Sequence, residues 1–102
     1  MVFITMNLKK EWFNKIKNGQ KTHEYRRANT YWKTRINNLM KKCALYDESA
    51  GIMFKLGYPK SDDEDKTLLA IIVKNPEIVN GIDTDLQIDA PVFDIEFKLL
   101  GE

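Results

Sequence analysis

The chain has 102 residues, of which 43% are hydrophobic and 30% are charged, and its formal net charge is +1. These values indicate one domain over residues 1–102, because the chain is long enough for one modest core and too short for two. No apolar run approaches the roughly 20 residues that a membrane-spanning helix needs, and the N-terminus lacks a signal-peptide pattern. We therefore expect a cytoplasmic protein without a membrane partner.

Charge is distributed unevenly along the chain. Residues 1–46 contain eleven lysines and arginines but only two carboxylates, Glu11 and Glu24, which gives this half a net charge of +9. The remaining residues carry a net charge of −8. A basic first half is typical of proteins that bind polyanions. The alternative is that the two halves neutralise each other across the fold.

The first half of the sequence predicts alternating strands and helices. Apolar residues recur at helical spacing from Leu8 to Ile16, and Gly19 is suited to end that helix. Asn7 and Thr30 are candidate N-caps for two helices. The predicted elements are a strand over Val2–Met6, a helix from about Leu8 to Asn18, a strand over Lys21–Arg27, and a second helix from Thr30 with Trp32, Ile36, Leu39 and Met40 on its buried face.

The second half predicts several short strands and therefore an α+β domain with a small, curved or closed sheet. Its clearest element is the last strand, in which Phe93, Ile95 and Phe97 alternate with polar residues. Cys43 is the only cysteine, so an internal disulfide is excluded and we expect a buried, inert thiol. The other predicted features are strands over Cys43–Asp47, Ile52–Tyr58 and Leu68–Lys74, a solvated loop over Pro59–Lys66, and an irregular segment over Glu77–Pro91 with a turn at Asn80-Gly81.

The segment from Gly19 to Arg26 concentrates the groups best suited to hold a ligand. Arg26 offers a planar fork and Lys21 a mobile point charge, and both bind phosphates or base carbonyls. Glu24 can accept hydrogen bonds from an amino group on a base, or act as a general base. The alternative is an ion-pair network that only stabilises the strand. A turn or a bulge would have to bring Lys21 to Glu24, because the two residues fall on opposite faces of an extended strand.

Gly19, Lys21, Glu24 and Arg26 reproduce the pattern G-x-K-x-x-E-x-R. With the preceding helix, the following Tyr31-Trp32 and the strand at residues 95–98, this pattern resembles the ASCH domain family, and in particular its small stand-alone members from bacteria and phages. The resemblance spans nearly the whole chain. It implies a PUA-like fold, which is a small β-barrel with about two helices in the N-terminal half and a cleft lined by the motif. It also implies binding of RNA or a nucleotide.

The resemblance carries an enzymatic alternative as well. Some small members of the family are amidohydrolases that remove the acetyl group from acetylcytidine, and others are ribonucleases. In the deacetylating subgroup a threonine nucleophile stands at the position of Glu24, beside a lysine that matches Lys21. Because this chain has a glutamate there, we expect recognition rather than acyl chemistry. If the protein is an enzyme, the candidate catalytic residues are Lys21, Glu24 and the weak nucleophile Thr22.

Aromatic residues alternate with cations after the motif, as binding of unpaired bases and phosphates requires. We expect Tyr31 to be exposed and Trp32 to belong to the core. A third class of function, a protein-interaction module, would instead show a large exposed apolar patch and a shallow cleft. The predicted ligand-binding residues are Lys21, Glu24, Arg26, Arg27, Tyr31 and Arg35.

We expect neither a metal ion nor another cofactor. His23 is the only histidine, so no pair of histidines exists for a zinc site. The acidic run at residues 62–65 is typical of a solvated loop. The spacing of acids from Asp83 to Asp94 superficially resembles a calcium loop, but it lacks the glycine at the sixth position and the glutamate at the twelfth.

Overall fold

A computed structural model describes residues 1–57 and 66–101 of the chain. In this part of the chain two α-helices in the first half are followed mainly by strands. The elements are, in chain order, β1 (Val2–Leu8), α1 (Lys10–Lys17), β2 (His23–Arg27), α2 (Thr30–Tyr46), β3 (Ala50–Leu56), β4 (Thr67–Ile72), β5 (Glu77–Asn80), a 3-10 turn (Gly81–Asp83) and β6 (Pro91–Leu99).

The six strands form one mixed sheet that curls into a half-barrel. Its main path runs β1-β3-β4-β6-β2, and β5 pairs with β6 along the edge that also carries β4, opposite β2. The β1–β3 pair is parallel and the other pairs are antiparallel. The two strands at the ends of the path, β1 and β2, both come from the basic first half. The α+β, barrel-like fold class expected from the sequence is confirmed.

The core fills the concave side of the sheet. Phe54 of β3 and Phe97 of β6 meet there with ring centroids 4.9 Å apart, and both are almost fully buried. The helices close the core from the rim by burying their apolar stripes against it. The largest fully buried side chains are Phe13, Phe54, Met6, Ile16, Ile52, Ile95 and Val92.

Helix α2 is longer than the sequence predicted, and the predicted strand over Cys43–Asp47 is wrong. Cys43 is buried, as expected, but it continues the stripe of Ile36 and Leu39 at helical spacing. The helix ends where Asp47 adopts a left-handed conformation, with φ at 52°. A short apolar run is compatible with either a strand or a buried helical turn, so here packing of the preceding stripe decided the structure.

The helix caps and the segment before β6 also differ from the prediction. Asn29, rather than Thr30, caps α2, and its Oδ1 accepts a hydrogen bond of 2.9 Å from Trp32 N. Helix α1 has Lys9 at its N-cap position, rather than Asn7, and no side-chain cap. Residues 77–80 form β5 along β6 instead of an irregular segment. Its side chains are largely exposed, so it lacks the apolar alternation that identifies a strand in a sequence.

The predicted loop over Pro59–Lys66 and the end of the strand predicted to reach Tyr58 lie almost entirely outside the described residues. Within residues 1–57 and 66–101, the helices are too short or too polar to cross a bilayer.

Candidate functional site

A turn after α1 directs Lys21 toward Glu24. Gly19 adopts a φ of +78°, which is unfavourable for residues with a side chain, and the amides of Gln20 and Lys21 both donate to Lys15 O. The chain therefore folds back under α1 before β2 begins. Lys21 Nζ lies 3.3 Å from Glu24 Oε1 as a result.

Glu24 is the centre of a buried cluster of charges. The side chains of Lys21 and Glu24 are each only 7% exposed. Glu24 Oε2 accepts from Arg26 Nη2 at 2.9 Å, and Oε1 also accepts from Tyr25 N at 3.1 Å. Lys21 additionally pairs with the carboxylate of Asp85. Two cations and two carboxylates thus offset one another, as burial of charge requires.

Aromatic rings enclose both cations of the cluster. Lys21 Nζ lies 5.1 Å from the ring centroid of Tyr25 and 5.6 Å from that of Trp12. The guanidinium of Arg26 lies 4.9 Å from the ring centroid of Trp32. Burial raises the pKa of the Tyr25 phenol above its ordinary value of 10.0, and the Asp94 and Asp85 carboxylates raise it further. Tyr25 is therefore a neutral hydrogen-bonding group at physiological pH.

A cleft of about 340 Å³ opens above this cluster, between β2, the N-terminal ends of α1 and α2, and the segment after the 3-10 turn. Arg26 donates through Nη2 to Glu24 and to Asn7 O. None of the described residues accepts a hydrogen bond from its Nη1 or Nε. Arg27 is exposed at the same wall. The cleft is lined by Asn7, Leu8, Lys9, Trp12, Glu24, Tyr25, Arg26, Arg27, Asn29, Trp32, Asp85 and Leu86.

The six predicted ligand-binding residues occupy three places. Glu24, Arg26 and Arg27 line the cleft, and Lys21 lies behind its wall in the buried cluster. Tyr31, which is 60% exposed, and Arg35 lie on the next part of α2, outside the cleft. Trp32 is half-buried against the core, as expected, but its ring also forms part of the cleft wall.

The enzymatic candidate Thr22 lies on another surface. It is exposed and lines a hollow of about 290 Å³ together with Lys21 and His23. His23 Nδ1 lies 2.6 Å from Asp94 Oδ1 on the adjacent strand β6. Trp12, Tyr25 and Asp85 line both the hollow and the cleft, so the two spaces are neighbours.

Asp85 is the site residue that sequence reasoning missed. It lies in the segment interpreted as irregular, far along the chain from Lys21, where the spacing of acids resembles only an incomplete calcium loop. Its position depends on Gly81, whose carbonyl accepts from Thr84 Oγ1 at 2.8 Å. A Cβ at Gly81 would lie 2.7 Å from Val92 Cγ1 and 2.9 Å from Ile88 O, so only glycine fits there. The lining residues Asn7 and Asn29 were not predicted as part of the site either. The sequence marks Asn7 only as a candidate N-cap, and it does not single out Asn29.

The described residues contain no group of three histidine, cysteine, aspartate or glutamate side chains that could hold a metal ion. The acidic run at residues 62–65 lies outside them.

The fold and the site together define a PUA-like module, because a small curled sheet carries helices at its rim and a cleft at the Lys-Glu-Arg cluster. Residues 6–74 match the family model of the ASCH domain, which is more than half of the chain, so this protein belongs to the ASCH domain family. ASCH domains are in general RNA-binding modules of the PUA-like class. The curated proteins contain no match to the chain.

Proposed function

We propose that the protein binds RNA, or a nucleotide, in the cleft formed by β2, α1 and α2. The observation that carries this proposal is the state of Arg26. Its Nη2 is held by Glu24 and by a backbone carbonyl, and its plane is packed near Trp32, while Nη1 and Nε lack a partner in the described part of the chain. An arginine fixed in this way is preorganised to donate to a phosphate or a base carbonyl.

The size and lining of the cleft support a nucleotide as its occupant. About 340 Å³ falls within the range of small-molecule sites. Trp12, Tyr25 and Trp32 supply rings on which a base can stack, and the exposed cations Lys9 and Arg27 can contact phosphates. Apolar rings next to cations match the two chemically distinct parts of a nucleotide.

The contacts of Glu24 favour recognition over catalysis. One of its oxygens accepts from Arg26, and the other accepts from Tyr25 N and lies beside Lys21. A carboxylate whose two oxygens already face three donors is poorly placed to take a proton from a substrate. We therefore assign Glu24 to holding Arg26 and Lys21 in position.

Titration of tryptophan fluorescence with single-stranded RNA tests the proposal, because Trp12 and Trp32 line the cleft. For the wild type, the logarithm of the association constant should fall linearly with the logarithm of the salt concentration. Arg27→Ala should weaken binding several-fold and reduce the salt slope by about 0.7. The same loss of charge in Lys41→Ala, at an exposed position outside the cleft, should have a smaller effect. Absent or salt-insensitive binding to a panel of RNAs would sink the proposal.

The second candidate function is a small hydrolase that acts on an acetylated nucleoside, in the manner of an acetylcytidine amidohydrolase, or on RNA as a ribonuclease. The observation that favours it is that Thr22 and Lys21 line one hollow, which adjoins the cleft. Incubation with acetylated nucleosides and with RNA, followed by mass analysis, tests it. If the wild type turns over these substrates no faster than the Glu24→Ala variant does, this function is ruled out.

A further inference from the structure

A second groove lies beside the cleft, between α2 and the open edge of β1. Its volume is about 300 Å³. Among the described strands β1 pairs only with β3, and its other edge faces the groove. Arg35 reaches across to this edge and donates from Nη2 to Thr5 O at 2.9 Å. The lining residues are Val2, Phe3, Ile4, Thr5, Arg35, Asn38, Leu39 and Lys42.

The helix side of the groove presents a row of polar and aromatic groups. Tyr31, Arg35, Asn38 and Lys42 are spaced by four, three and four residues, which places them on one face of α2. Tyr31 is 60% exposed, and its OH accepts a hydrogen bond of 3.2 Å from Arg35 Nη1. The row therefore begins with an accessible ring held in place by a guanidinium.

Within the described residues, no ion pair offsets the charge of α2. The helix contains four cations, Lys33, Arg35, Lys41 and Lys42, and no acidic residue. None of the four forms an ion pair with any of the described residues. An uncompensated positive face is complementary to a polyanion.

Trp32 lies at the border between the cleft and the groove. The Trp32 ring lies in the cleft wall, with the guanidinium of Arg26 at 4.9 Å from its centroid and that of Arg35 at 4.8 Å. Arg26 lines the cleft and Arg35 lines the groove. A chain that leaves the cleft over Trp32 therefore enters the groove at Tyr31 and Arg35.

We propose that this groove binds the RNA strand that flanks the nucleotide held in the cleft. Tyr31 stacks on an unpaired base, and Arg35 and Lys42 contact phosphates. Tyr31 and Lys42 are separated by about 16 Å along the helix axis, at a rise of about 1.5 Å per residue, which is more than one nucleotide spans. The inference rests on the proposed function, and it specifies the ligand as a single-stranded oligonucleotide rather than a free nucleotide.

The test compares ribonucleoside monophosphates with a single-stranded RNA octamer, using wild type, Lys42→Ala and Lys41→Ala. Lys41 is the matched control, because it is an adjacent cation of the same helix about 100° away from Lys42 and does not line the groove. The octamer should bind wild type more tightly than the monophosphates do. Lys42→Ala should weaken octamer binding and reduce its salt slope by about 0.7, while affinity for the monophosphates and the behaviour of Lys41→Ala stay close to wild type.

Tyr31→Ala extends the test to the base. It should weaken octamer binding about fivefold or more, which is the loss of one base–aromatic stack, without changing the salt slope. Equal affinities for octamer and monophosphates, equal losses in Lys41→Ala and Lys42→Ala, or equally tight binding of an acidic peptide would overturn the groove assignment and leave the cleft proposal standing. Failure of wild type to bind either the octamer or the monophosphates would overturn both.

Discussion

Glu24 pairs with both cations of the site, so this single residue supports the stability of the cluster and the function that we propose for it. Among the described residues, Arg26 forms an ion pair with Glu24. Lys21 forms one ion pair with Glu24 and another with Asp85. Removing the central carboxylate leaves two neighbouring cations with one partly exposed acid between them. Such a change costs more than the loss of a surface ion pair, because a buried charge without a partner must be desolvated.

We therefore expect Glu24→Ala to lower the free energy of unfolding by about 3 kcal/mol, as measured by urea denaturation. Asp85→Ala is the control. The Asp85 carboxylate is 34% exposed, and Lys21 keeps Glu24 when it is lost. Its removal should cost about 1 kcal/mol or less. Losses of equal size in the two variants would contradict the central role of Glu24.

Tyr25 should make the stability of the protein sensitive to alkaline pH. Burial and the Asp94 and Asp85 carboxylates raise its pKa in the folded protein above 10.0, whereas in the unfolded chain the phenol titrates near 10.0. As pH rises through this range, the unfolded chain loses its proton first. The stability that Tyr25 contributes below pH 10 therefore falls as the pH rises, until the pH has passed the pKa of the phenol in the folded protein.

Tyr25→Phe should remove that part of the alkaline loss. The measurement is urea denaturation at pH 9 and at pH 11, with Tyr31→Phe as a control that removes an exposed phenol. The difference in stability between the two pH values should shrink in Tyr25→Phe and persist in Tyr31→Phe. An unchanged pH dependence in Tyr25→Phe would show that its environment does not disfavour the phenolate.

At the scale of elements, the sequence predicts best where one local signal decides the structure. The apolar stripe and the glycine that follows it, Gly19, identify α1 and the turn after it. In the structure this glycine has a positive φ. The alternation from Phe93 to Phe97 identifies β6. Local signals fail where tertiary contacts decide. Residues 43–46 remain helical because Cys43 packs into the core, and residues 77–80 become β5 because β6 offers its edge.

The same distinction explains what could be predicted of the site. The spacing of Lys21, Glu24 and Arg26 is local, so the sequence places them close together, but the contact of Lys21 with Glu24 depends on the turn at Gly19. Asp85 reaches Lys21 from 64 residues away along the chain, through a segment anchored at Gly81. Nothing near Asp85 in the sequence specifies that approach. Long-range pairing of this kind depends on how β6 docks between β2 and β5.

For the whole molecule, direct ion pairs between the two oppositely charged halves are few among the described residues. Of the eleven lysines and arginines in residues 1–46, only Lys21 pairs with a carboxylate from the second half among the described residues. Lys15 and Arg26 pair with the two glutamates of their own half. The other eight cations have no ion pair within the described ranges. Within the described residues, most of the charge of the basic half is therefore not offset by an ion pair.

The half-barrel is bridged between its two end strands by side chains. Arg26 of β2 donates to Asn7 O of β1 at 3.0 Å, and Arg35 of α2 donates to Thr5 O of the same strand at 2.9 Å. Both guanidiniums pack against the Trp32 ring, at 4.9 Å and 4.8 Å from its centroid. These contacts replace the backbone pairing that would close a complete barrel. The seam formed by Arg26, Trp32 and Arg35 is also the boundary between the cleft and the groove.

RNA bound in the cleft as proposed would contact this seam, so we expect Arg26 to couple closure of the barrel to binding. Arg26→Lys keeps the charge but loses the planar fork that reaches Glu24 and Asn7 O together. We expect faster amide exchange in β1 and β2, with exchange in β3 and β4 unchanged, and weaker RNA binding. Arg27→Lys, at the exposed neighbouring position, should leave exchange in all four strands close to wild type. Faster exchange throughout the sheet in Arg26→Lys would instead indicate loss of global stability, and the seam would then have no separate role.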